Sequence, residues 1–224
     1  MKVKLLNYTP NSEKTVYLAA RQCFSQNFPE GGNQEDWEKL IKFLISRQHF
    51  SPFEHISFTF SVEGISRACS HQLVRHRLAS YSQQSQRRTE ITRNALLTMI
   101  FPDTIKKNEE ALKKYAKAVV TMYKTYTALR KMNILLEDAR YILPQAIATN
   151  IVVTMNAREL FHFFEERLCK MAQWEIRELA NKMLQLCREV SPVIFNHCGA
   201  KCKRLKYCPE GKLYECYHFW KEER

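Results

Sequence analysis

Residues 49–88 read HFSPFEHISFTFSVEGISRACSHQLVRHRLASYSQQSQRR, and this stretch decides the fold class. Ile56, Phe58, Phe60 and Val62 alternate with Ser57, Thr59, Ser61 and Glu63, the period-two pattern of a strand over 56–63 with one buried face. Pro52 ends the helix before it, Gly64 breaks the strand, and Ile65 to about His76 reads as a short helix. Residues 80–88 are polar and lack Gly and Pro, so they form either a solvated loop or a strand lining a polar site.

Working outward, residues 2–8 alternate weakly and read as a first strand. Helices are expected from Asn11 to about Ser25 and from Asn33 to about Gln48. The second places Trp37, Leu40, Ile41 and Leu44 on one face. Asp103 is positioned to cap a long helix reaching about Met132, with Leu112, Tyr115, Val119, Met122, Tyr126 and Leu129 as its apolar stripe. Residues 133–142 look helical up to Pro144. Asn156 with Glu159 three positions on reads as a capping box, and helical periodicity continues to about Val190. No repeat or low-complexity linker interrupts the chain. The expectation is an α+β fold: a single helix-rich domain over residues 1–196 with a small mixed or antiparallel sheet, followed by a basic, Cys-rich tail over 197–224.

At 224 residues the chain buries enough surface to fold without disulfide or metal staples. Its glycines are Gly31, Gly32, Gly64, Gly199 and Gly211, from which neither a Rossmann fingerprint nor a P-loop can be assembled. The opening MKVKLLNYTP has no apolar signal region, and the longest uncharged run, Tyr141 to Ala157, is too short and polar to span a membrane. A cytoplasmic protein with reduced thiols is expected.

The net charge of +12 calls for an anionic partner, and its distribution separates two kinds of partner. The lysines of residues 104–131 lie mainly off the apolar stripe and read as a solvated face. Residues 67–93 carry only arginines as cations. Arg is the residue for forked contacts to phosphate and for buried ion pairs. Arg75, His76 and Arg77 fan out at a helix end, and Ser85 and Arg87 follow within one turn or strand, a set able to hold a phosphate or to be an exposed basic turn. Arg167 projects from a stripe of Leu160, Phe163, Phe164 and Met171, so its charge needs a partner: an internal carboxylate such as Glu137, or a ligand. Arg140 is ambiguous in the same way, and His162 lies one turn after Arg158. With no nucleophile motif in the chain, a bound cofactor would supply the reactivity.

The string RHRLASYSQQSQR resembles the R-H-R-x7-S signature of the flavin-dependent thymidylate synthases. HFSPFEHISFTF and GISRACSHQLV before it, and NARELFHFFEERLCKMAQWEIRELA after it, extend the resemblance over roughly residues 45–190. The resemblance implies a homotetramer with active sites where subunits meet. It implies methylation of dUMP to dTMP with 5,10-methylenetetrahydrofolate as carbon donor and FAD, reduced by NADPH, as hydride source. It assigns Ser51, Arg75, His76, Arg77, Gln83, Asn156, Arg158 and His162 to FAD, and Gln72, Arg75, Gln83, Gln84, Ser85, Gln86, Arg87 and Arg140 to the nucleotide. Arg167 would face the uracil and stabilise its N3-deprotonated form. The chain departs from the common family pattern at Ser82-Gln83, where Asn-Glu is frequent, at Arg88 in place of Tyr, and at Met171 in place of His. The other readings are a basic nucleic-acid-binding protein and the same fold acting on another pyrimidine nucleotide.

Cys198, Cys202, Cys208 and Cys216, with His197 and His218, crowd the tail, yet their spacing contains no C-x2-C knuckle; free thiols, without a metal, are expected. Cys23, Cys69, Cys169 and Cys187 sit in helical segments as core residues.

Overall fold

The alternation over residues 56–63 produces a strand whose apolar side is sealed: Ile56, Phe58, Phe60 and Val62 are fully buried. The computed structural model describes residues 1–91, 96 and 98–211. Four strands, β1 (Lys2–Tyr8), β2 (Ser57–Ser66), β3 (Ala79–Gln83) and β4 (Ala148–Asn156), form an antiparallel sheet in the order β1-β2-β4-β3. Around them run α1 (Ser12–Gln22), α2 (Gln34–Ser46), α3 (Arg67–Leu73), α4 (Asp103–Lys106), α5 (Glu109–Lys131), α6 (Leu136–Ala139), α7 (Ala157–Arg167), α8 (Trp174–Val190), α9 (Pro192–Phe195) and α10 (Lys201–Leu205). None of these helices is long and apolar enough to cross a membrane.

The chain divides into two compact units. The first comprises residues 1–2, 62–75 and 82–151, and the second residues 3–61, 76–81 and 152–224. In the first, Met99, Val119 and Ile147 form an apolar cluster, with Tyr115 and Tyr123 packed against it. In the second the core holds a cluster of aromatic rings among aliphatic side chains: Phe53 and Phe161 meet edge to face at 5.2 Å, and Phe58 and Phe195 at 5.1 Å. There α1 packs on α2, and α7 on α8.

Several boundaries differ from the sequence reading. β2 does not stop at Gly64 but runs to Ser66. Gly64 takes a φ of 70°, open to glycine at little cost, and its N–H donates to the Asn150 side chain at 3.1 Å. The irregularity resets the alternation, so Ile65 and Ser66 are both buried. Asp103 opens only the single turn α4. The cap of the long helix is Asn108, whose side chain accepts from the Ala111 N–H at 3.0 Å. The polar segment after Leu78 is a strand, β3. β4 lies inside the uncharged run, with Thr149, Ile151, Val153 and Met155 inward. The opening of the tail belongs to the second unit: Cys198 and Ala200 are buried, and Arg204 of α10 pairs with Glu165 of α7.

Candidate active site

In the first unit, Ser66 caps α3 by accepting from the Cys69 N–H at 2.9 Å, and the helix carries Gln72, half-buried, towards exposed Arg75. β3 ends at Gln83, whose amide nitrogen donates to the Ser70 hydroxyl at 2.9 Å and the Thr149 hydroxyl at 3.3 Å. A carboxylate there could only accept, so the departure from Glu reverses the direction of both bonds. Gln84 pairs its N–H with the Asn150 carbonyl at 2.9 Å, while its own carbonyl accepts from Arg67 Nη2 at 2.9 Å. The Ser85 carbonyl accepts the Thr89 N–H at 2.9 Å, and the Ser85 hydroxyl accepts the Arg87 N–H at 3.2 Å. The chain after β3 thus turns back and presents Arg87 beside half-buried Gln86.

Glu137 gathers two of these arginines. Its carboxylate pairs with Arg87, and its carbonyl accepts from Arg140 Nε at 3.0 Å. Arg67 Nε is buried without a hydrogen bond, and burial together with the charge of Arg140 pulls the Arg67 pKa down. Arg67, Arg87 and Arg140 thus bring positive charge together near the partly exposed carboxylate of Glu137. Arg67 was missed by the sequence reading, although its place inside the all-arginine segment was a usable signal.

In the second unit, the Asn156 side chain caps α7 by accepting from the Glu159 N–H at 2.9 Å. Arg158 and His162 follow one turn apart, both exposed, and Arg158 pairs with Glu54 in the 3-10 turn that starts at exposed Ser51. Arg77 is also exposed. His76 is different: it is 4% exposed, with Nδ1 at 3.2 Å from Glu159 Oε1 and Nε2 accepting from Arg167 Nε at 3.0 Å. Burial, then the charges of Arg167 and His162, push its pKa down to about 4. Arg167, at the end of α7, is therefore held by a neutral imidazole, while the carboxylate of Glu137 is engaged by Arg87. Arg167 also lines a cavity of about 960 Å³ with Met171, Arg177 and Arg188. Glu159 went unread as a site residue because its capping position gave a sufficient local explanation.

Burial raises the thiol pKa values of Cys187 and Cys198, which keeps both protonated. Among the described residues no group of three or more His, Cys, Asp or Glu is placed to hold a metal; Cys216 and His218 lie outside them.

The family described as "Thymidylate synthase complementing protein" matches residues 4–193. The flavin-dependent thymidylate synthase of Nitratidesulfovibrio vulgaris is 45% identical, with 96% of this chain and 94% of that protein covered. That of Pyrococcus abyssi is also 45% identical, covering 95% of this chain and 91% of its own length. Among solved structures, the UMP/dUMP methylase PolB from Streptomyces cacaoi, bound with 5-Br dUMP, shares the fold with a TM-score of 0.74. It is 24% identical and covers 87% of this chain and 93% of that one. A family match over residues 4–193 and relatives 45% identical through nearly the whole chain show that the chain belongs to the flavin-dependent thymidylate synthase family.

Proposed function

We propose that this enzyme reductively methylates dUMP to dTMP, as a cytoplasmic homotetramer with active sites formed where subunits meet. Residues 1–196 are read as the synthase domain and 197–224 as a basic, Cys-rich tail whose opening packs into the second unit. The observation that carries the mechanism is Arg167, a cation on a partly apolar surface held by a neutral base. Charge in such a place is poorly screened and favours ionisation of the group facing it, here the N3–H of the uracil. A preorganised cation aimed at a developing anion stabilises the transition state without reorganising when the reaction occurs.

The phosphate of dUMP would be taken by Ser85, Arg87 and Arg140, with Glu137 released from Arg87 as the dianion arrives. Gln72, Arg75, Gln83, Gln84 and Gln86 would contact the rest of the nucleotide. The donor set fits a flavin dinucleotide: Arg77, Arg158 and His162 are exposed cationic or hydrogen-bonding groups, and Asn156 caps the helix that bears two of them. Ser51, Arg75, Arg77, Gln83, Asn156, Arg158 and His162 would hold it, with His76 supporting that set from within the core. FAD, reduced by NADPH, would supply the hydride, and 5,10-methylenetetrahydrofolate the carbon.

The deciding experiment is the visible spectrum of the purified protein, followed by tritium release from 5-tritiated dUMP. A yellow protein bleached by NADPH, with folate-dependent release, is the expected result. A colourless protein that cannot be reconstituted with FAD would refute the reading. Assays of UMP and dCMP beside dUMP set the nucleotide specificity, and light scattering of the holoenzyme sets the assembly.

A further inference from the structure

We propose that Glu159 is a positioning residue for Arg167, acting through the imidazole of His76. The proposal rests on the reading of Arg167 as the cation that faces the pyrimidine.

A guanidinium has donors and no acceptor, so at 3.0 Å from Arg167 Nε the His76 Nε2 must be the accepting nitrogen. The ring proton then resides on Nδ1, where the carboxyl of Glu159 receives it at 3.2 Å. Both ends of the imidazole are committed, and each end determines the other. Phe163 meets the ring edge to face at 5.0 Å and fixes its plane, and the Tyr81 hydroxyl donates to the His76 carbonyl at 2.8 Å.

Glu159 and Arg167 occupy the two ends of α7. The eight-residue step between them rises about 12 Å along the helix, which puts their backbones beyond direct contact. The imidazole fills that span. Glu159 and His76 are only 5% and 4% exposed, and an ionisable carboxyl placed that deep is costly unless something inside uses it. Burial raises the Glu159 pKa, an effect the helix N-terminus opposes, and the Asn156 cap fixes the backbone from which the side chain extends. A depressed His76 pKa keeps the ring an acceptor at neutral pH, which protonation would end. The arrangement sets where the guanidinium points with a rigid ring in place of a flexible side chain.

The test uses Glu159→Ala, Glu159→Gln and Arg167→Ala in the flavin-loaded enzyme, together with 15N NMR of histidine-labelled protein. The proposal expects the Nδ1-protonated tautomer for His76 in the parent protein and a mixture of tautomers in Arg167→Ala. Glu159→Ala should lower kcat at least tenfold, with flavin content retained and the KM for dUMP within threefold. Glu159→Gln, which still accepts a hydrogen bond, should recover at least half of that loss on a logarithmic scale. A residue needed only for folding would lower the yield of folded protein and leave kcat per flavin unchanged. An Nε2-protonated His76 in the parent protein overturns the proposal. So does kcat for Glu159→Ala within twofold of the parent while Arg167→Ala is inactive, or a folded Glu159→Gln no better than Glu159→Ala. If Glu159→Ala does not fold, the tautomer and Glu159→Gln decide, the latter expected to lose no more than fivefold in kcat. Normal turnover in Arg167→Ala removes the cation itself from the mechanism, a failure of the underlying reading recognisable without any Glu159 variant.

Discussion

The arginines of the first unit and the arginine at the end of α7 are held in opposite ways. Arg87 leans on the partly exposed carboxylate of Glu137, and Arg140 and Arg67 on backbone carbonyls. Arg167 is held by a buried ring that is itself fixed at its far end. Exposed ion pairs are worth little and exchange readily, so the first set can trade its partner for a phosphate dianion. A buried, doubly committed imidazole exchanges with nothing. The first arrangement suits binding and release; the second suits a charge that must already be in place when the transition state forms.

Substitutions can break this contrast at either end. The largest effect is expected for Arg167→Ala: kcat down by roughly 10²–10³, the cost of removing one preorganised donor at a developing oxyanion, with flavin retained. Tritium release per bound flavin reads it. Arg87→Ala should act on binding instead, raising the KM for dUMP about tenfold or more with kcat within a few-fold, as for loss of a charged hydrogen bond. If Arg87→Ala lowers kcat and leaves KM alone, the contrast is wrong.

Acid should separate the units next. The depressed pKa of His76 means that the unfolded chain takes up a proton near its ordinary 6.5 while the folded chain resists it down to about 4. Stability is therefore complete above pH 6.5 and lost as pH falls towards 4. The raised carboxyl pKa of Glu159 works in the opposite direction and offsets part of the loss. By pH 5 the His76 contribution alone has fallen by about 2 kcal/mol, and Glu159 offsets part of it. Hydrogen exchange should show it in α7 before α5. The smallest effect is for Glu137→Gln: without the competing carboxylate, Arg87 binds the nucleotide about threefold more tightly, within the modest range of exposed pairs. Titration calorimetry with dUMP checks it.

Arg87, Arg140 and Arg167 were legible as candidates, Arg167 because a cation one turn after Phe163 and Phe164 is anomalous on its own helix; Arg67 was not. The contact of Arg167 with His76 was not legible. His76 is 91 residues away in sequence, and nothing local to either residue signals the other. β2 was legible because phenylalanines alternate with polar residues. β4 was masked by a polar-apolar mix of Thr, Asn and Val in an uncharged run, whose inward Thr149 weakens the pattern. Gly64 was read as the end of the strand, whereas β2 runs through it, because the side chain that accommodates it, Asn150, lies on that unseen strand.

The pairing of β2 with β4 also bears on how the enzyme is made. The Thr59 and Thr154 hydroxyls meet at 2.9 Å across 95 residues of intervening chain, so the centre of the sheet is a high-contact-order element. Closing so long a loop costs entropy before any contact rewards it, which places this pairing among the slow events of folding. The carboxyl end of β4 leads directly into the Asn156 cap and α7, hence to Glu159 and Arg167. In stopped-flow refolding, capacity to bind nucleotide should therefore emerge with the slow phase, well after helix signals have returned: the chain acquires its chemistry last.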